Sequence, residues 1–220
     1  MTAPLQAMVF DFDGTLVQSN RIKHDTLFEV ARTLGPVDSQ LRDILAKHPG
    51  EDRFGLYRQL LLRLHGTAPE ASVTELCERY GQETVEAISK APEIPGAESF
   101  LQKVSAKLPL YIDSATPQDS LRDTVLRRGW NPFFQGVYGR PASKTAILEM
   151  ILMENGYSAE RVLFVGDSLE DMKTARAHGC PFAGIAHEPG WLADFPPDVP
   201  VLSGYDAGQL TRIQGMEGFV

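Results

Sequence analysis

The sequence lacks the features that define several classes of protein. No apolar run approaches the roughly 20 residues needed to cross a bilayer, and residues 1–6 lack the basic and apolar segments of a signal peptide. We therefore expect a cytoplasmic protein with no membrane partner. Cysteine is scarce, since Cys77 and Cys180 are the only two and lie far apart. This spacing excludes paired zinc and redox motifs and disfavours a disulfide framework.

Positive charge is also in short supply. The chain has 21 Lys and Arg against 29 Asp and Glu, a formal net charge of −8. No basic stripe is present to neutralise phosphates, so we expect no nucleic-acid partner. An anionic substrate remains possible if a cation is bound at the site. The hydrophobic content of 43% over 220 residues is typical of a soluble protein with one full domain and a small insertion.

The apolar patterns divide the chain into a helical segment and a segment in which strands and helices alternate. After a first buried strand at residues 7–10, residues 17–92 contain four amphipathic helical patterns and end at a Pro- and Gly-containing breaker. Strand and helix patterns then alternate from about residue 97, which is typical of a parallel sheet with helices on both faces. We therefore predict an α/β Rossmann-like catalytic core, residues 1–16 and 93–220, with an inserted α-helical domain, residues 17–92.

The most informative segment directly follows the first strand. Asp11 and Asp13 stand two residues apart on extended chain, so their carboxylates point to the same side. Gly14 permits a sharp exit and lets a ligand approach the backbone. Two like charges at a strand end repel one another unless they share a cation or a proton. This layout suits a metal-assisted nucleophile with an acid/base partner, although an acidic turn is the commoner explanation of such a pattern.

Other polar side chains follow later predicted strands. Residues 113–116 follow the second strand at a predicted helix start, Lys144 follows the third, and residues 166–171 follow the fourth. Ligands bind at the carboxyl ends of strands in open α/β sheets, so this set suits a phosphate with a divalent cation. Each piece also has a structural interpretation. Ser168, for example, is a good helix N-cap with acids in the first turn.

Together these segments resemble the four signature motifs of the haloacid dehalogenase superfamily. The motifs are residues 11–16, Ser114, Lys144 and residues 166–171. The helical insertion resembles the cap of the branch that contains phosphoglycolate phosphatase and β-phosphoglucomutase. The likeness extends from residue 7 to about residue 190.

The resemblance implies a role for each carboxylate. Asp11 would be the nucleophile, and Asp13 the general acid and then the base. Mg²⁺ would be held by the Asp11 carboxylate, the Asp13 backbone carbonyl and Asp167, with Asp171 as a ligand or an outer partner. An Asp at position 13 favours phosphate esters over dehalogenation within this superfamily.

The resemblance also implies the groups that hold the phosphoryl oxygens, namely Gly14, Ser114, Ala115 and Lys144. In the cap, the segment 47–53 resembles a Gly-x-x-Arg specificity loop, which makes Arg53 the first candidate for a substrate contact. Lys23 on the first cap helix is a second candidate.

The leading hypothesis is a Mg²⁺-dependent phosphatase that hydrolyses a small phosphorylated metabolite through an aspartyl-phosphate, as a monomer or dimer. A phosphomutase would use the same groups. A metabolite-binding protein without catalysis is the third possibility, although a lapsed site would be expected to have lost at least one of the acids.

Overall fold

The computed structural model describes residues 4–48, 51–211 and 213. The described helices and strands follow the chain in the order β1 (Ala7–Phe10), α1 (Asn20–Ala31), α2 (Asp38–Lys47), α3 (Arg53–His65), α4 (Glu70–Lys90), α5 (Ala97–Ser105), β2 (Leu110–Pro117), α6 (Gln118–Arg127), β3 (Gly136–Arg140), α7 (Lys144–Asn155), β4 (Val162–Gly166), α8 (Leu169–His178), β5 (Phe182–Ile185), β6 (Val201–Leu202) and α9 (Ala207–Leu210). Within these ranges, no helix combines the length and the apolar character that crossing a membrane requires.

The chain forms two compact units. One comprises Met1–Asn20 and Ile88–Val220, and the other comprises Arg21–Ala87. The second unit lies inside the predicted insertion, residues 17–92. Residues 17–20 and 88–92 instead belong to the first unit. There Val17 bridges to Glu93, and the Gln18 side chain donates to the Glu93 carbonyl at 2.8 Å. The two chain segments that lead to and from the helical unit are therefore hydrogen-bonded side by side.

The first unit is built on a six-stranded parallel sheet. Its strand order is β3-β2-β1-β4-β5-β6, so the predicted parallel α/β core is confirmed. All four residues of β1 are buried, because this strand has a neighbour on each edge and apolar side chains on both faces. The carboxyl ends of β1, β2 and β4 therefore lie next to one another at the same edge of the sheet.

The second unit contains α1 to α3 and most of α4, so the four predicted helices are present. Among the described residues, its core includes fifteen buried side chains: Leu27, Phe28, Val30, Ala31, Val37, Leu41, Ile44, Leu56, Tyr57, Leu60, Leu61, Val73, Leu76, Cys77 and Tyr80. Ser72 and Glu75 have the sequence spacing of a capping box, which predicts a helix start at Ser72, but this prediction is wrong because α4 already begins at Glu70. A glycine at position 66 predicts the end of the third helical pattern, and this is confirmed, since Gly66 has a φ of 71° and forms the C-cap of α3.

The second strand is longer than the sequence pattern predicts. We expected it to end at residue 112 and a helix to begin at Thr116 and Pro117, but β2 continues to Pro117 and α6 begins at Gln118. The pairing of β2 with β3 is irregular between Asp113 and Pro117. Such an irregularity re-aims side chains at the end of a strand, and here it falls on the residues that were expected to bind phosphate.

Candidate active site

Asp11 and Asp13 lie directly beyond the end of β1. Both are buried. Phe10, before Asp11, and Phe12, between the two aspartates, are packed in the core. The chain then turns at Gly14, whose φ of 76° favours glycine. The Gly14 N–H donates to the Val17 carbonyl at 2.8 Å and closes the turn. The strand and the glycine therefore place two carboxylates at the rim of the sheet, as the alternation predicts.

Lys144 connects the Asp11 carboxylate with the segment after β4. It is the first residue of α7 and is buried, with its Nζ 2.7 Å from Asp11 Oδ1 and 2.5 Å from Asp171 Oδ1. Burial by itself would lower the pKa of the ammonium, but the two carboxylates raise it above its ordinary value. Lys144 is therefore charged at neutral pH.

Asp11 itself is held between opposing influences. Burial raises its pKa to about 6, Lys144 acts to lower it, and the nearby Asp171 and Asp13 carboxylates act to raise it. The Thr15 hydroxyl donates to Asp11 Oδ2 at 3.3 Å. A bound cation would keep this carboxylate ionised, because its field acts in the same direction as that of Lys144.

Asp171 is committed to contacts within the protein. Its Oδ2 accepts from the Ser168 N–H at 3.0 Å and from the Ser168 hydroxyl at 2.5 Å, and the Ser168 hydroxyl in turn accepts from the Asp171 N–H. This is a capping box at the start of α8, so the N-cap interpretation of Ser168 is confirmed. The other oxygen of Asp171 holds Lys144, so the residue orients the lysine that contacts Asp11.

Asp167 lies between β4 and α8 and is hydrogen-bonded to Asn20. The Asn20 side-chain amide donates to Asp167 Oδ2 at 2.7 Å, and the Asn20 N–H donates to the Glu188 carboxylate at 3.2 Å. Burial, followed by the charge of Asp11, raises the pKa of Asp167 to about 8. A Cβ at Gly14 would lie 2.0 Å from Asp167 Oδ2. The glycine is therefore required for the close approach as well as for the turn.

The three carboxylates of Asp11, Asp167 and Asp171 offer oxygens within 4.8 Å of one another. Hard divalent cations such as Mg²⁺ prefer such oxygen ligands. Burial, together with neighbouring carboxylates, raises the pKa values of Asp11 and Asp167, and the field of a bound cation would act in the opposite direction. The residues present therefore fit a magnesium ion.

The end of β2 provides neutral polar groups. Ser114 is buried, Ala115 is exposed, and the Thr116 N–H donates to the Ser114 hydroxyl oxygen at 3.2 Å. The prediction that Thr116 is the N-cap of a helix is wrong, because Thr116 lies on β2 and α6 begins at Gln118. Both hydroxyls therefore lie in the stretch of β2 where the pairing with β3 is irregular, and not at a helix N-terminus.

Thr116 was expected to cap a helix, but it contacts the other aspartate of the first motif. Its hydroxyl donates to Asp13 Oδ2 at 2.6 Å, and the Ser19 hydroxyl donates to Asp13 Oδ1 at 2.7 Å. Sequence reasoning missed this contact because Thr116-Pro117 is a common way to start a helix. It missed Ser19 and Asn20 because no spacing rule connects them with their partners.

Asp113 is a further buried acid, which the sequence placed among the polar residues after the second strand without assigning it a role. It is fully buried, and neither of its carboxylate oxygens has a hydrogen-bond partner within the described part of the chain. Burial raises its pKa to about 8, while Lys144 acts to lower it. The β1–β2 register pairs Phe10 with Ile112, so Asp113 stands at the strand position beside Asp11.

The two predicted substrate contacts belong to the helical unit. The Arg53 guanidinium at the start of α3 lies 5.6 Å from the Phe54 ring centre and 5.2 Å from that of Tyr80. Lys23 is half-buried on α1. Gly50 of the Gly-x-x-Arg pattern lies outside the described residues. Contact of Arg53 or Lys23 with a substrate stays a prediction.

The family model for haloacid dehalogenase-like hydrolases matches residues 8–185. The chain belongs to this family. The predicted resemblance is thereby confirmed, and the matched range of the hydrolase includes the strand ends that carry Asp11, Ser114, Lys144 and Asp167.

The hydrolase also resembles characterised proteins over most of its length. It is 26% identical over 213 residues to a phosphoglycolate phosphatase of Synechococcus elongatus, covering 89% of this chain and 95% of that relative. It is 28% identical over 131 residues to a phosphoglycolate phosphatase of Yersinia pestis, covering 57% of this chain and 56% of the relative.

Solved structures share the fold of this hydrolase at lower identity. CbbY from Rhodobacter sphaeroides, solved with xylulose-(1,5)bisphosphate, has a TM-score of 0.70 and 16% identity, covering 91% of this chain and 94% of that one. A predicted phosphoglycolate phosphatase from Haemophilus somnus has a TM-score of 0.69 and 19% identity, covering 88% and 96%. At these identities the likeness concerns the fold alone.

Proposed function

We propose that this hydrolase is a Mg²⁺-dependent phosphatase that cleaves a small-molecule phosphate monoester through an aspartyl-phosphate. The observation that carries the proposal is the buried Asp11 carboxylate, held by Lys144 at 2.7 Å and grouped with Asp167 and Asp171. Curated relatives named phosphoglycolate phosphatase support the reaction class.

Asp11 is the proposed nucleophile. One carboxylate oxygen attacks phosphorus while the bond from phosphorus to the ester oxygen breaks, and the phosphoryl group is transferred to Asp11. Lys144 holds Oδ1 of this carboxylate and orients it. Its positive charge also offsets the negative charge that gathers on the transferred group.

Asp13 is the proposed acid and base. In its protonated form it donates a proton to the departing ester oxygen, and as a carboxylate it then removes a proton from the water that attacks the aspartyl-phosphate. The bond from phosphorus to the Asp11 oxygen breaks in this second step, which releases inorganic phosphate and returns Asp11 to its carboxylate and Asp13 to its protonated form. The Ser19 and Thr116 hydroxyls bind the two oxygens of Asp13.

The remaining groups at the strand ends would bind the phosphoryl oxygens. The Ser114 hydroxyl accepts from the Thr116 N–H and keeps its own proton to donate to a phosphoryl oxygen. The Ala115 N–H and the backbone at Gly14 are the further proposed donors. These neutral donors and Lys144 recognise a phosphate dianion without supplying a second nucleophile.

Mg²⁺ would be held by the Asp11 carboxylate, the Asp13 backbone carbonyl and Asp167. It supplies charge neutralisation of the phosphoryl oxygens when bound. Asp171 has both oxygens engaged by Lys144 and Ser168, which supports its role as an orienting residue rather than a direct ligand. Arg53 and Lys23 remain the proposed substrate contacts in the helical unit, which we propose to be the cap.

The test compares wild type with Asp11→Asn on p-nitrophenyl phosphate and a panel that includes phosphoglycolate, sugar phosphates and nucleotides. We expect phosphate release by wild type with Mg²⁺, none with EDTA, and a loss of at least about 10³-fold in the variant, since a nucleophile is removed. Asp194→Asn, a change at an exposed loop carboxylate, is the control and should behave as wild type.

Two outcomes would contradict the proposal. Turnover by purified Asp11→Asn at the wild-type rate would rule out Asp11 as the nucleophile. Isomerisation of a sugar phosphate faster than release of inorganic phosphate would identify a mutase instead.

A further inference from the structure

The side chain of Thr116 has a contact that its place in the sequence does not suggest. Its hydroxyl donates to Asp13 Oδ2 at 2.6 Å, although the two residues are 103 positions apart. Thr116 lies on β2, whereas Asp13 follows β1. The contact therefore exists only because these strands are neighbours in the sheet.

A carboxyl group at Asp13 needs a fixed orientation to transfer protons. Rotation about its Cβ–Cγ bond is soft, because terminal torsions of this type have broad minima. Two hydroxyls act against that rotation, one from Ser19 on Oδ1 and one from Thr116 on Oδ2. The carboxyl plane is thus defined at both oxygens.

Thr116 is well suited to this task. Its side chain is β-branched and therefore has few χ1 rotamers, and its N–H is tied to the Ser114 hydroxyl at 3.2 Å. A hydroxyl can also donate to a carboxylate or accept from a carboxylic acid. The same contact can therefore persist whether Asp13 is ionised or protonated.

We propose that Thr116 is a positioning residue that orients the Asp13 carboxyl for its acid and base steps. This inference rests on the proposed phosphatase function. It adds to the end of β2 a role other than the phosphate binding proposed for Ser114, because Thr116 contacts the second aspartate of the first motif.

The leaving group of the substrate provides the decisive readout. A nitrophenolate departs without much help from an acid, whereas an alkoxide requires a proton. A misoriented Asp13 should therefore impair the cleavage of an alkyl phosphate more than that of an aryl phosphate. A general disturbance of the site would impair both to the same extent.

The experiment measures kcat/KM of wild type, Thr116→Val and Thr116→Ser on p-nitrophenyl phosphate and on the alkyl phosphate that wild type cleaves best. Val keeps the shape of Thr but lacks the hydroxyl. We expect Thr116→Val to lose roughly 10- to 50-fold on the alkyl ester, a part of the 10²- to 10⁴-fold that acid–base catalysis supplies. The loss on the aryl ester should be under about threefold by the same reasoning, and Thr116→Ser should recover most of the alkyl activity.

Thr124→Val is the matched control. Thr124 is buried on α6, and its hydroxyl donates to the Ser120 carbonyl at 2.8 Å. This variant should show wild-type activity on both substrates, and thermal unfolding of all four proteins establishes that they fold.

The outcomes separate the inference from the proposed function. If wild type is active and Thr116→Val loses kcat/KM equally on both esters, or on neither, the role of Thr116 is overturned and the phosphatase function stands. A folded wild type that cleaves no phosphate ester would overturn both.

Discussion

Replacement of Asp113 by Asn should change how the stability of the protein depends on pH. The folded protein raises the pKa of this carboxyl from 3.8 to about 8, mainly because it is buried. Neither oxygen has a hydrogen-bond partner within the described residues. In the unfolded chain the group regains an ordinary pKa near 4.

The sign follows from proton binding. Between about pH 4 and pH 8, Asp113 holds its proton in the folded protein but has lost it in the unfolded chain. The stabilisation is therefore complete below about pH 4 and is lost as the pH rises towards 8. The unfolding free energy falls by at most about 1.4 kcal/mol per pH unit, and by less as the pH approaches 8. Asp113 alone therefore removes about 2.5 kcal/mol of unfolding free energy between pH 5 and pH 7.

The assay is urea unfolding of wild type and Asp113→Asn at pH 5, 6 and 7 in EDTA. Asp11 and Asp167 also have raised pKa values and contribute the same sign of slope in both proteins. The difference between the two slopes therefore isolates Asp113. Asp194→Asn removes an exposed loop carboxylate and should retain the full slope of wild type. Parallel loss of stability by wild type and Asp113→Asn would refute the reasoning.

Two further predictions concern the proposed metal site. Asn20→Ala removes the amide that holds Asp167 Oδ2. The Kd for Mg²⁺, measured by calorimetry, should therefore rise roughly tenfold, as it does when a residue that orients a metal ligand is lost. Asn131→Ala on the surface is the control, and an unchanged Kd in Asn20→Ala would contradict the prediction. Gly14→Ala should lower the unfolding free energy by at least about 1–2 kcal/mol, the cost of a Cβ in a left-handed conformation, and should also weaken Mg²⁺ binding because its Cβ would meet Asp167. Gly156→Ala is the matched control, because Gly156 has a φ of 63° and an added Cβ would have no atom within 4 Å. This variant therefore measures the conformational cost alone. Equal Mg²⁺ affinity in the two glycine variants would show that the contact with Asp167 is unimportant.

Local pattern was sufficient wherever a feature depends on a few adjacent residues. The alternation of Phe10, Asp11, Phe12 and Asp13 separates core from rim, because successive side chains of a strand point to opposite sides. The start of α8 was likewise predictable, because Ser168 is a good N-cap. Pooling the polar residues at strand ends was enough to bring Lys144 and Asp167 to the site.

Local pattern failed where two interpretations of the same residues compete. Thr116-Pro117 is a favourable helix start, yet β2 extends through it because β3 provides a partner strand and Pro117 pairs with Arg140. Ser72 with Glu75 resembles a capping box, but α4 already begins at Glu70. In both cases the tertiary context outweighs the local preference.

The sequence by itself determined the fold class and the chemistry of the first motif, since these depend on residue type, order and short spacing. The tertiary structure alone decided what surrounds the two aspartates. Thr116 binds Asp13, Asn20 binds Asp167, and Asp113 is buried without a partner beside Asp11. The two hydrogen bonds join residues more than a hundred positions apart, and the environment of Asp113 depends on neighbouring strands. Such contacts arise only when the parallel strands assemble, because sheet neighbours are set by topology and not by distance along the chain.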